Sequence, residues 1–178
     1  MGKITQIIVL DAGIEDVWKF ITKPDNFSRY VYGYVVGKVI TPNLTGVGAT
    51  YEWYGKLGPI KLKSIEKIVD WQETKHVAYS GILFGITFDS SMNVERIGEQ
   101  TQLIVSIRYK VPFYLGGTIT DLFLIRWIIK DYIKKSLIIL KADKCFGLGH
   151  SPLLYPSAHH PKRKNKIGFF LRVISFRN

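Results

Sequence analysis

The chain has one cysteine, Cys145, in 178 residues, so no disulfide can close within it and a reducing compartment suits it. No stretch approaches the ~18 consecutive apolar residues of a membrane-spanning helix. The N-terminal run MGKITQIIVL is broken at Thr5-Gln6 and followed by Asp11, which makes a poor export signal. Both features lead us to expect a cytoplasmic protein. Metal-ligand spacings are missing: His159 and His160 adjoin each other with no Cys or His partner nearby. Glycine-rich phosphate loops and nucleophile–base pairs are also missing. We therefore expect no metal and no cofactor, and no catalytic constellation is visible.

Acidic residues are absent from His150 to Asn178, whereas Lys162, Arg163, Lys164, Lys166, Arg172 and Arg177 all lie there. More than half of the net charge of +11 thus belongs to the tail, and the body before it is only mildly basic. Apolar residues make up 47% and aromatics 13%, enough for a real core and too apolar for a disordered chain. The length suits one domain with an appendage. We place the domain at 1–146 and a basic, proline-containing tail at 147–178.

Residues 3–10 are β-branched and read as a first strand. Two short helices follow. One spans Ile14 to Ile21, with Val17, Trp18 and Ile21 at helical spacing; the next opens at Pro24, with Phe27 and Tyr30 on its apolar side. Six strands come next, at Tyr32 to Thr41, Thr50 to Leu57, Lys61 to Trp71, Lys75 to Leu83, Ile86 to Arg96 and Thr101 to Val111. In the last of these Leu103, Val105, Ile107, Tyr109 and Val111 alternate with polar residues, which gives one buried face and one wet face. Gly117 to Lys144 then reads as one amphipathic helix of roughly 25 residues, nearly 40 Å long. Its apolar arc holds Leu122, Ile125, Ile129, Tyr132, Ile133, Ser136, Ile139 and Leu140. The order predicts an α+β fold, a seven-stranded curved antiparallel sheet wrapped around the long C-terminal helix.

That order, and the segment LDAGIEDVWKFITKPDNFSRYV at 10–31, resemble the helix-grip superfamily of START, birch-pollen-allergen and polyketide-cyclase proteins (SRPBCC). The segment is similar to the opening pattern A-P-x-E-x-V-W-x-F-L-x-D-P-x-N, with Gly13 where proline is common. GVGATYEWY at 46–54, GEQTQLIVSIRYKVP at 98–112 and the closing helix extend the likeness over about residues 3–144. The polyketide-cyclase branch and the branch associated with carbon monoxide dehydrogenase are the most similar.

The resemblance implies a small hydrophobic ligand, such as a lipid, quinone or polyketide-like compound, held between the concave sheet face and the long helix. Alternation points Tyr51, Trp53, Tyr79, Phe88, Met92, Val105, Ile107 and Tyr109 inward. Leu122, Ile125, Ile129 and Tyr132 would add the helix wall, and Phe27 and Tyr30 the mouth. The buried tyrosines are expected to satisfy one another's hydroxyls. Glu66 shares the inward phase of Leu62, Ser64 and Ile68 and is the candidate acid or base of a cyclase or dehydratase, the alternative function. The commoner arrangement is a strand-end carboxylate paired with a lysine, and we expect that of Glu66. His76 is expected to be exposed.

Leu124, Trp127, Ile128 and Ile138 flank the helix's apolar arc. They either widen the core contact, the reading we adopt, or form a patch for a partner or for a second copy in a homodimer. In the tail, Lys162, Arg163, Lys164 and Lys166 stand beside Phe169 and Phe170. That combination suits weak contact with an anionic membrane surface, peripheral to it, and so a docking or assembly role. Nucleic acid is a poor fit, because no reading module accompanies the basic run.

Overall fold

The structure, a computed structural model, describes residues 1–83, 85–113, 116–120, 124–143 and 146. The chain divides into two units, Met1–Leu148 and Gly149–Asn178. The basic tail, with Lys162, Arg163, Lys164, Lys166, Phe169 and Phe170, lies outside the described residues, as does Leu122.

Strand β1 (Gly2–Leu10) leads into helix α1 (Ile14–Thr22), a 3-10 turn (Pro24–Asn26) and the short helix α2 (Phe27–Tyr30). The strands β2 (Tyr34–Val39), β3 (Thr50–Leu57), β4 (Ile60–Gln72), β5 (His76–Leu83), β6 (Ile86–Ile97) and β7 (Gln100–Lys110) follow. All seven form one antiparallel sheet in the order β1-β7-β6-β5-β4-β3-β2. Consecutive hairpins therefore build six strands, and β1 closes the edge beside β7. Strand β2 starts two residues later than its sequence pattern suggests. Gly33, at a φ of 73°, turns the chain there while its carbonyl accepts the Lys56 N–H at 2.7 Å.

Helix α1 carries Val17, Trp18, Phe20 and Ile21 on one face, all buried, and packs on β6 and β7. It stops before Pro24, which disfavours helical backbone at Lys23. Leu10, Val17, Ile21, Val77 and Leu103 lose essentially all their exposure, each such burial stabilising the fold by about 1.5–3 kcal/mol.

The C-terminal helix differs from its expected form. Helix α3 spans Gly117–Thr120 and α4 spans Arg126–Ala142, with a π turn at Leu124 and Ile125 leading into α4. Regular helix after that turn runs 17 residues, about 25 Å. A π turn rotates the residues beyond it relative to those before, so one wheel does not run unbroken through 117–144. Within α4 the expected arc holds, with Ile133 and Leu140 buried. Ile133, Leu137 and Leu140 are buried, but Trp127 and Ile138 are 61% and 55% exposed. These two do not widen the core contact; they sit one above the other on the outer face with Asp131 and Lys134 between them.

The junction after α2 docks on α4. The Tyr32 N–H donates to Ser136 Oγ at 2.9 Å, and the Tyr32 ring meets Tyr132 edge-on at 6.0 Å. Arg29 reaches both carboxylate oxygens of Asp143, at 2.7 and 3.2 Å.

Candidate functional site

Antiparallel register carries one row of inward-facing residues across the whole sheet: Val39, Tyr51, Glu66, Gly81, Phe88, Tyr109 and Gly2. The adjacent row holds Ile68, Tyr79, Ser90, Ile107 and Ile4. The two glycines in the first row have a steric reason, since a Cβ on Gly2 would strike the Tyr109 ring. A Cβ on Gly81 would come within 2.8 Å of Glu66 Cγ, the Ile65 carbonyl and Phe88 Cζ, so glycine there lets Glu66 and Phe88 lean over the strand between them.

Glu66 does not pair with a lysine. Trp53 Nε1 donates to its Oε1 at 2.9 Å, and Ser64 Oγ donates to the same oxygen at 3.1 Å. Strand alternation sends Lys61, Lys63 and Lys67 to the opposite face, where Lys63 pairs with Glu52 at 3.0 Å. Among the described residues Oε2 accepts no hydrogen bond, and Glu66 keeps part of its surface accessible although it faces the concave side. Burial raises its pKa to about 7, against the opposing pull of the Ser64 and Trp53 donors.

The tyrosines do not satisfy one another. Tyr30 Oη donates to the Ile21 carbonyl at 2.9 Å and Tyr51 Oη to the Leu44 carbonyl at 2.7 Å. The Tyr79 and Tyr132 hydroxyls are enclosed and have no hydrogen-bond partner among the described residues. Burial raises all four pKa values, Tyr51 to about 12, and the Glu66 carboxylate adds to the rise at Tyr30, Tyr79 and Tyr132. Register sets Tyr51 directly opposite Glu66 and Tyr79 on the diagonal from it. Edge-on and tilted ring contacts link Tyr30 to Phe27, Phe27 to Tyr51 and Tyr51 to Tyr79, with centroids 5.8–6.4 Å apart.

The described inward residues come together as follows. Tyr30, Tyr51, Tyr79 and Tyr109 are buried, so Tyr30 is part of the wall and Phe27 alone remains nearer the surface. Trp53, Phe88, Met92, Val105, Ile107, Ile125 and Ile129 pack against the core yet stay partly exposed, although they face inward. A groove of about 210 Å³ opens between the 3-10 turn and β2–β3, lined in part by Phe27, Tyr34, Val39, Tyr51 and Trp53. It reaches the indole that holds Glu66. A second depression, about 470 Å³, lies outside between α1 and Phe146, floored by the Phe20–Phe146 ring pair and edged by Asp16, Lys19 and Lys23.

Sequence reasoning assigns no role to Gly81, whose only signal is a glycine inside a strand, nor to Ser64 as a donor to Glu66. His76, expected to be exposed, is half-buried on the convex face, with Nδ1 at 2.6 Å from Asn93 Oδ1 and Nε2 at 3.5 Å from Asp70. Among the described residues no three His, Cys, Asp or Glu side chains cluster as metal ligands, and no helix is long and apolar enough to cross a membrane.

Several solved structures share this architecture. A protein from Thermus thermophilus superposes with a TM-score of 0.66 at 13% identity, covering 79% of this chain and 94% of its own. The ginseng major latex-like protein 151 of Panax ginseng gives 0.61 at 19% identity, over 79% of this chain and 95% of that one. The di-domain aromatase/cyclase BexL of the BE-7585A biosynthetic pathway gives 0.66 at 12% identity, over 79% of this chain and 45% of that one. At such identities the likeness is one of fold. No curated protein matches in sequence. The sequence model described as polyketide cyclase / dehydrase and lipid transport matches residues 1–143, and the chain belongs to that family.

Proposed function

We propose that this chain binds and carries a small hydrophobic molecule between the concave sheet face and α4. One observation carries the reading. Phe88, Met92, Val105, Ile107, Ile125 and Ile129 face inward and stay partly exposed, so packing leaves part of the apolar wall uncovered. An apolar wall of that kind accepts an apolar guest. The domain doing this is residues 1–146, with 147–178 an appendage whose Lys162–Lys166 run and Phe169-Phe170 suit an anionic membrane surface. Native mass spectrometry of gently purified protein, followed by organic extraction, tests the first part. A stoichiometric apolar ligand supports carriage; a ligand-free protein that takes up no hydrophobic compound refutes it. Co-sedimentation with phosphatidylserine vesicles, with and without residues 147–178, tests the second.

Glu66 supports a second reading, that of a cyclase or dehydratase. A carboxyl group with a pKa of about 7 can both donate and accept a proton near neutrality, and Oε2 is the oxygen left for a substrate. Conversion of a poly-β-ketone analogue by the wild-type protein and not by Glu66→Gln is the outcome that supports it.

A further inference from the structure

The polarity of the interior wall is one-sided, and this bears on what the proposed site would take. Among the described inward-facing residues Glu66 is the only carboxyl group, and no lysine or arginine faces it from β3, β4, β5, α2 or α4. Its hydrogen-bond partners and register neighbours are neutral: Ser64, the Trp53 indole, Tyr51 directly opposite and Tyr79 on the diagonal. Two kinds of unused hydrogen-bonding capacity remain. Among the described residues Glu66 Oε2 is an acceptor without a donor, and the enclosed Tyr79 and Tyr132 hydroxyls are donors without an acceptor. Register places Tyr79 opposite Ile68, two residues along β4 from Glu66, so Tyr79 and Glu66 are diagonal neighbours on one face.

We propose that the interior site selects uncharged, oxygen-bearing ring compounds and rejects carboxylate lipids. A ligand hydroxyl would donate to Glu66 Oε2, and a ligand oxygen would accept from Tyr79 or Tyr132. A fatty acid or other carboxylate would bring a second negative charge beside Glu66 with no cation to receive it, a like-charge contact in an enclosed, weakly screened space. The inference rests on the interior binding site proposed above and adds the chemical class that the site accepts.

Isothermal titration calorimetry at pH 8 with three probes sharing one ring system tests it: naphthalene, 2-naphthol and 2-naphthoate. Apolar burial is nearly the same for all three, so differences report on the polar wall. We expect 2-naphthol to bind about tenfold more tightly than naphthalene, as for one hydrogen bond to a charged group, and 2-naphthoate more weakly than either. Glu66→Gln should bring 2-naphthoate to within about threefold of 2-naphthol, and Tyr79→Phe with Tyr132→Phe should reduce the advantage of 2-naphthol over naphthalene. Binding of 2-naphthoate as tight as that of 2-naphthol, or selectivity unchanged in Glu66→Gln, overturns the proposal and leaves the interior site standing. Failure of all three probes to bind the wild-type protein overturns the interior site itself, and the proposal with it.

Discussion

Replacing Glu66 by glutamine tests the electrostatics of the interior without a ligand. The glutamine side chain would keep Oε1 as the acceptor for Trp53 Nε1 and Ser64 Oγ, so packing and hydrogen bonds are preserved. Only the charge is lost. The folded-state pKa is about 7 against an ordinary value of 4.5, so between these values the folded chain holds a proton that the unfolded chain has released. Stability from this group is therefore fully present below pH 4.5, falls as pH rises, and levels off above pH 7. That direction is opposite to the usual one for a salt-bridged carboxylate. A shift of this size is worth about 3 kcal/mol over the full span, most of it lost between pH 5 and 8. Urea denaturation followed by circular dichroism, on wild type and variant at the two ends of that range, isolates the effect as a double difference. Glu66→Gln should match the wild type to within about 1 kcal/mol at pH 5 and exceed it by about 3 kcal/mol at pH 8. A gap between the two proteins that does not change with pH would show that Glu66 ionises normally and that its surroundings do not penalise the charge.

Gly81→Ala puts a Cβ against the Ile65 carbonyl and the Phe88 ring and should cost about 1–3 kcal/mol by chemical denaturation; a neutral result would mean Phe88 swings away freely. Tyr79→Phe removes an enclosed hydroxyl with no partner and should leave stability unchanged or raise it by about 1 kcal/mol, whereas Tyr30→Phe, which loses the bond to the Ile21 carbonyl, should lower it by a similar amount. Leu140→Ala, at a fully buried position of α4, should destabilise by about 2–5 kcal/mol. Trp127→Lys, on the outer face of the same helix, should fall within about 0.5 kcal/mol of the wild type in thermal melts of dilute protein.

The strands are legible in the sequence because each half-buried strand writes its two faces into alternate residues; Leu103 to Tyr109 is the clearest case. The same alternation places Glu66 inward correctly. What it cannot supply is the partner. Lys61, Lys63 and Lys67 are close in sequence, but the pleat sends them to the other face, while Trp53 and Ser64 reach Glu66 through the β3–β4 register, a non-local fact. The close approach of Glu66 and Phe88 over Gly81 is silent for the same reason, since a missing side chain leaves no periodic mark. A helical wheel sets Trp127 and Ile138 on the flank of the apolar arc but cannot say whether another element covers that flank, and both stay exposed. Composition alone suggests mutually bonded tyrosine hydroxyls, whereas their partners depend on where two backbone carbonyls lie, those of Ile21 and Leu44.

The Trp53–Glu66 hydrogen bond gives the molecule an optical reporter of its own. The four indoles sit in separate surroundings: Trp127 on the outer face of α4, Trp18 and Trp71 edge-on with centroids 5.0 Å apart at the α1 end, and Trp53 bound to the interior carboxylate. A ring whose N–H points at a titrating oxygen feels the arrival of a charge as a change in local field, so its emission should shift as Glu66 ionises. Trp71 also donates to a carboxylate, Glu73 Oε2 at 2.8 Å, so the Trp53 signal is isolated by difference against the variant that lacks it. Emission spectra of the unlabelled protein across pH 5 to 8, compared with Trp53→Phe, would then read the state of the interior directly.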